Sequence, residues 1–169
     1  MLTRCYCVVN LYINGVQAGL QSAHAIAEVA LACKDNTKAL QSNAWFDQWL
    51  RHDKTIIILD GGHQQNLERL YELMRAVPSL PSAKFHEAQT SLNGALTALA
   101  IVLPEYMYNP QYTHEPLAMT NSMTLSSMLP PTKVANQFKD WETGNVLHNY
   151  TLPEQTLIEA IKQLRLKGQ

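Results

Sequence analysis

Charge is what this sequence has least of. Asp, Glu, Lys and Arg make up 16% of its 169 residues against 46% apolar, and the formal net charge is −1 with histidine neutral. No general electrostatic pull toward nucleic acid or anionic lipid follows from that balance. The 13 basic residues are scattered from Arg4 to Lys167, so a long RNA footprint is not signalled. A small nucleotide needs only a few local contacts. Cysteine is also scarce. Cys5, Cys7 and Cys33 are an odd number without framework spacing, which excludes a disulfide scaffold and reads as free thiols in a reducing compartment. Cys5 and Cys7 stand two apart on a predicted strand and face one side, as small buried hydrophobes. A metal site would need two further close ligands, and no such spacing occurs. No apolar run approaches bilayer length, and the N-terminus lacks a basic stretch followed by a long apolar one. A soluble, cytoplasmic protein with no membrane partner is therefore expected. Phosphate-cradling and dinucleotide glycine motifs are missing, as is Gly-x-Ser-x-Gly. Asp60-Gly61-Gly62-His63 reads only as a turn into a helix.

What remains is a globular composition long enough for one core. Residues 5–11 form a β-prone run punctuated by Asn14-Gly15. Residues 16–33 read as a helix with Leu20, Ala23, Ala27, Ala30 and Leu31 as its apolar stripe. On another face Gln17, Gln21, His24 and Glu28 make a continuous polar line. Residues 36–50 read as a second helix, with Trp45 and Trp49 one turn apart and assigned to packing rather than base stacking. Lys54–Leu59 is the clearest strand; its β-branched run predicts burial on both faces, as in a central strand. A helix over 63–77 has Leu67, Leu70, Tyr71, Met74 and Val77 on its buried side, and Pro78–Pro81 stops it. Short strands follow at 84–88 and 95–103.

The order β-α-α-β-α-β-β predicts a single three-layer α/β/α domain with a mixed four-stranded sheet over residues 1–104. Residues 105–169 are expected to be a C-terminal extension, an irregular segment then a helix, packing on the core or on a partner and offering a homodimer contact. That helix is signalled by a capping box, Thr151 with Glu154, and by the stripe Leu157, Ile158, Ile161 and Leu164.

Three segments resemble the type II peptidyl-tRNA hydrolases. Gly15-Val-Gln-Ala-Gly-Leu-Gln-Ser-Ala-His24-Ala is similar to the family's turn and helix carrying Gln, a small residue and Ser-His-Ala. The strand at Lys54–Leu59 with the helix at 63–77 is the second. Glu87-Ala88-Gln89-Thr90 leading to Thr97-Ala-Leu-Ala-Ile101 is the third, resembling the family's Asp-Ala-Gly turn and following strand. The resemblance covers about residues 4–104. Three positions depart from it: Gln17 stands where the family carries a functional Lys, Glu87 replaces Asp, and Gln89 replaces Gly.

The resemblance implies cleavage of the ester between a peptide and the 3′-terminal ribose of tRNA. Such a reaction needs an activated water or hydroxyl and donors for an oxyanion. His24 is the acid–base candidate, since imidazole changes charge nearest to neutral pH. Glu87 orients it or acts as base, and Thr97 completes the catalytic group. Gln17, Gln21, Asn10 and Thr90 are assigned to substrate binding, at a tRNA 3′ end or a small nucleotide. No metal or cofactor is expected. A neutral Gln17 in place of Lys gives weaker bonds than a charged donor. That change and the low charge favour a second expectation: a metal-independent phosphodiesterase or sponge for cyclic oligonucleotides, as a viral counter-defence protein would be. A third is a non-catalytic interaction module.

Overall fold

The structure, a computed structural model, describes residues 2–35, 40–108, 114–116, 134–139 and 146–168. For residues 40–41, 114–116, 134–139 and 146–150 it describes the backbone alone. Strand β1 (Thr3–Val9) leads to helix α1 (Val16–Asp35) and helix α2 (Leu40–Gln48). The latter widens into one π-helical turn at Trp49–Asp53. Strand β2 (Ile56–Asp60), helix α3 (Gln64–Arg75), strand β3 (Ser82–His86), a helical turn α4 (Gln89–Leu92) and strand β4 (Leu96–Pro104) follow. After the turn α5 (Glu105–Tyr108) come strands β5 (His114–Pro116), β6 (Val134–Lys139) and β7 (Val146–Thr151), helix α6 (Leu152–Lys162) and a two-residue strand β8 (Arg165–Leu166).

The main sheet has the order β3-β4-β1-β2-β8, with β1 parallel to β2 and the other pairs antiparallel. It is a mixed sheet of five strands rather than the expected four. The fifth comes from the far end of the chain, where Leu166 pairs with Leu59 and Arg165 with Asp60. Two residues carry no periodicity, which is why β8 has no sequence signature. Strands β5, β6 and β7 form a separate antiparallel sheet within the C-terminal extension; most of residues 105–133, the irregular part of that expectation, lies outside the described residues.

Period-two alternation sorts the core into two clusters. Tyr6 and Val8 of β1 and Leu99, Ile101 and Leu103 of β4 join Leu67, Leu70 and Met74 of α3 and Leu157, Ile158 and Ile161 of α6. Cys5, Cys7, Val9, Ala98, Ala100 and Val102 point the other way, onto Ala18, Ala25 and Val29 of α1 and Phe46 and Trp49. One cluster is rich in Leu and Ile, the other in Ala and Cys. Small side chains on both partners bring α1 close to the sheet, and that distance governs the site described below.

Two expectations about burial are corrected. The buried stripe of α1 is Ala18, Gln21, Ser22, Ala25 and Val29, whereas Leu20 and Leu31 are 47% and 52% exposed. The helix is rotated from the orientation its largest apolar residues predict, because the small-residue face fits the Ala- and Cys-lined sheet and Gln21 finds polar partners there. Strand β2 is not buried on both faces either: Leu59 alone of its residues is buried, and Ile56 is 48% exposed. The strands enclosed on both faces are β1 and β4.

Other elements lie close to their sequence readings. Leu67, Leu70, Met74 and Val77 are buried on and just beyond α3, with Tyr71 packed alongside. Trp49 is buried and donates from Nε1 to the Thr55 carbonyl at 2.9 Å, and Trp45 packs edge-on against Tyr106, so both tryptophans are packing residues. The capping box at α6 is formed in both directions between Thr151 and Glu154. No helix among the described residues is long and apolar enough to cross a membrane.

Candidate functional site

The candidate residues gather where β1 ends, β4 begins and α1 passes over them. The key local event is a bulge. Phe85 pairs with Ala98 but His86 pairs with Leu96, so Thr97 is the extra residue on β4. Leu96 belongs to the Leu-rich cluster and Ala98 to the Ala-rich one, so the alternation resets across Thr97. A bulge re-aims a side chain, and here the Thr97 hydroxyl meets α1. Its Oγ1 donates to Gln21 Oε1 at 2.8 Å. The Gln21 amide, itself buried, donates from Nε2 to Glu87 Oε1 at 2.6 Å. Ser91 of α4 donates from Oγ to the other carboxylate oxygen at 3.1 Å. The result is a directional chain, Thr97 to Gln21 to Glu87, with Ser91 closing it.

Glu87 lies in the connection between β3 and β4, its own N–H donating to the Ala95 carbonyl at 3.0 Å. The hydrogen bond from Gln21, then that from Ser91, holds its carboxyl below the ordinary range against a weaker opposing effect of burial; the nearby His24 imidazole adds to the lowering. Glu87 is therefore ionised at neutral pH and a poor proton acceptor. An ionised carboxylate so held favours positive charge placed near it.

His24 lies one turn beyond Gln21 on α1 and packs its ring on Phe85, centroids 4.6 Å apart. Its Nδ1 is buried and has no hydrogen-bond partner. A buried polar nitrogen without a partner is uncommon and asks for a reason. The first helix and the β3–β4 connection thus bring His24, Glu87, Gln21 and Thr97 to one place. Gln17 is a turn earlier on α1 with its side chain exposed. Thr90 is exposed on α4, and it is the neighbouring Ser91 that reaches Glu87.

Asn10 is placed differently. Its backbone N–H donates to the Thr97 carbonyl at 2.9 Å, which puts it beside the bulge. Its side-chain amide is used within the fold: Oδ1 accepts from the Tyr12 N–H at 3.2 Å and Nδ2 approaches the Leu96 carbonyl at 3.5 Å. It shapes the loop between β1 and α1.

Two residues outside the sequence reading complete this end of the sheet. Ser91 stands four residues after Glu87 in a turn too short for any pattern to flag. Lys167, just past β8, buries its ammonium at 5% side-chain exposure. It donates to the carbonyls of Asn10 at 3.2 Å and Leu11 at 3.1 Å and to Asp60 Oδ2 at 3.0 Å. Three protons meet three acceptors. Burial alone would raise the Asp60 carboxyl, but the Gly62 N–H and the Lys167 ammonium hold it below the ordinary range.

Among the described residues no group of three or more His, Cys, Asp or Glu is placed to hold a metal ion. Cys5 and Cys7 are free, buried, and 3.9 Å apart at sulfur, facing α1. Compared with known proteins, the chain matches no family model, and no curated protein matches it.

Proposed function

We propose that the protein is a hydrolase acting at the ribose end of an adenosine-containing RNA or nucleotide, on a three-layer α/β/α core resembling that of the type II peptidyl-tRNA hydrolases. The reading rests on one observation: His24 stands one turn from Gln21 on α1, near enough to lower the carboxyl of Glu87, which Gln21 and Ser91 hold ionised. Of the two ring nitrogens Nδ1 is buried, so Nε2 is the one assigned to accept a proton, and the nearby carboxylate stabilises the imidazolium that forms.

In ester cleavage His24 takes a proton from water as its oxygen attacks the acyl carbon. The tetrahedral intermediate then collapses, and the imidazolium returns the proton to the departing 3′-oxygen of the ribose. Thr97 and Gln21 hold Glu87 rather than substrate, so they are positioning residues. The exposed Gln17 amide and Thr90 hydroxyl are the groups left to contact ligand. A neutral Gln17 gives weaker oxyanion stabilisation than a lysine would.

That neutrality favours a second reading, in which His24 deprotonates a ribose 2′-hydroxyl, its oxygen attacks the adjacent phosphorus to form a 2′,3′-cyclic phosphate, and the imidazolium returns the proton to the departing 5′-oxygen. One assay separates the two. Purified protein is incubated with N-acyl-aminoacyl-tRNA and with cyclic dinucleotides, in chelator, as wild type and as His24→Ala. Release of the acyl group, lost by about a hundredfold or more in the variant, supports the esterase; equivalent turnover of a cyclic dinucleotide supports the phosphodiesterase. Wild type that leaves every substrate intact removes both.

A further inference from the structure

Helices α3 and α6 lie side by side, and β8 carries the chain from α6 onto the edge of β2. Between these elements runs a cleft of two lobes that share Gly61, Asn66, Gln163 and Leu164. The larger, about 430 Å³, adds Leu70, Leu73 and Ala160 as an apolar wall and Arg69 at its rim. The smaller, about 360 Å³, adds Asp60, Gly62 and Arg165. Each lobe falls in the size range of small-molecule sites.

The charges in this cleft are not self-compensating. Asp60 is already neutralised by the Lys167 ammonium. Arg69 and Arg165 have no carboxylate within ion-pair distance among the described residues. The lining therefore presents two free guanidiniums, two side-chain amides and one flat apolar wall. Guanidinium matches phosphate oxygens in bidentate geometry. Carboxamides match the donor–acceptor edge of a nucleobase, and the leucine wall takes its face.

We propose that this cleft is a binding site for a nucleoside monophosphate group, with Arg69 and Arg165 on the phosphate, Asn66 and Gln163 on the base edge, and Leu73 and Leu164 under the ring. The ligand class rests on the nucleotide reading above; the site does not require that hydrolysis occur. The cleft lies on the α3–α6 face at the β8 edge of the sheet, apart from the His24–Glu87 cluster on the α1 face. The loop that begins at Asn10 separates the cleft from Thr97, with the Leu11 N–H on the Gly62 carbonyl at 2.7 Å and the Tyr12 ring 5.8 Å from that of His63.

The test is a calorimetric titration of the full chain with adenosine monophosphate, adenosine and inorganic phosphate. Wild type is expected to bind the nucleotide, with adenosine and phosphate each weaker by about tenfold or more. Arg69→Glu with Arg165→Glu, both at exposed positions, weakens the nucleotide by about tenfold or more with an unchanged thermal midpoint. Binding that survives the double charge reversal, phosphate bound as tightly as the nucleotide, or no nucleotide binding at all each overturns the proposal. Binding with this pattern in a protein that hydrolyses nothing keeps the cleft and removes the hydrolase.

Discussion

Gln21 carries more of this structure than its type suggests. A buried carboxamide on a helix would ordinarily be a liability. Here one end accepts from Thr97 and the other donates to Glu87, so replacing it by Ala strands a hydroxyl and a carboxylate together. Gln21→Ala is expected to cost about 1–3 kcal/mol, read by chemical denaturation. The same change lets the Glu87 carboxyl rise toward its ordinary range, which a carboxyl-resolved NMR titration detects. Glu87 also sets a pH dependence. Its native pKa is depressed, so its contribution is fully present above the ordinary carboxyl range and is lost as pH falls through the native value. Between about pH 5 and pH 3, wild type is expected to lose stability more steeply than Glu87→Gln. Equal slopes for the two proteins would show that Gln21 and Ser91 do not favour the ionised form.

At the scale of elements, the strand β8 and the lysine that follows it fasten two loops. Lys167→Met removes the ammonium from beneath Asn10 and Leu11 and leaves Asp60 uncompensated. A loss of about 2–4 kcal/mol is expected, with hydrogen exchange accelerated at residues 11–13 and 61–62 but not in α3. Uniform acceleration throughout would mean that the lysine serves global stability only. None of this was readable in the sequence, because the contact joins residues 157 positions apart. What was readable depended on local repetition. The Leu67, Leu70, Met74 spacing placed α3 and its buried side, and the Thr151–Glu154 pair placed the start of α6. The orientation of α1 was not readable, since its largest apolar residues, Leu20 and Leu31, face out. Of the polar line Gln17, Gln21, His24 and Glu28, Gln17 is exposed, His24 and Glu28 are half-buried, and Gln21 is buried against the sheet. The bulge at Thr97 left no trace either: a Thr inside Leu-Thr-Ala-Leu is an ordinary strand residue until its neighbours show the alternation reset.

Across the molecule, the Leu-rich core draws on both halves of the chain. Leu157, Ile158 and Ile161 of α6 share it with Tyr6, Leu67 and Met74. A chain ending at Pro104 lacks one wall of that core and exposes the leucines of α3 and β4 to water. It is expected to lose its cooperative thermal transition, and Leu157→Ala in the full chain is expected to cost about 2–5 kcal/mol. A truncated protein melting as sharply as the intact one would mean that α6 is an appendage. The low net charge belongs to this scale as well. With no broad basic surface, any nucleotide must be held by local groups, and binding should depend on ionic strength far less than that of a protein gripping a long phosphate backbone.

The lysine beneath the β1–α1 loop also imposes a timetable. Synthesis delivers Asn10 and Leu11 early and their ammonium partner 157 residues later. Until that side chain emerges, the carbonyls it will satisfy must stay wet, and the loop carrying Tyr12 is held by its other hydrogen bonds alone. The β1–α1 loop thus gains its last polar partner only as the final residues of β8 and Lys167 are added.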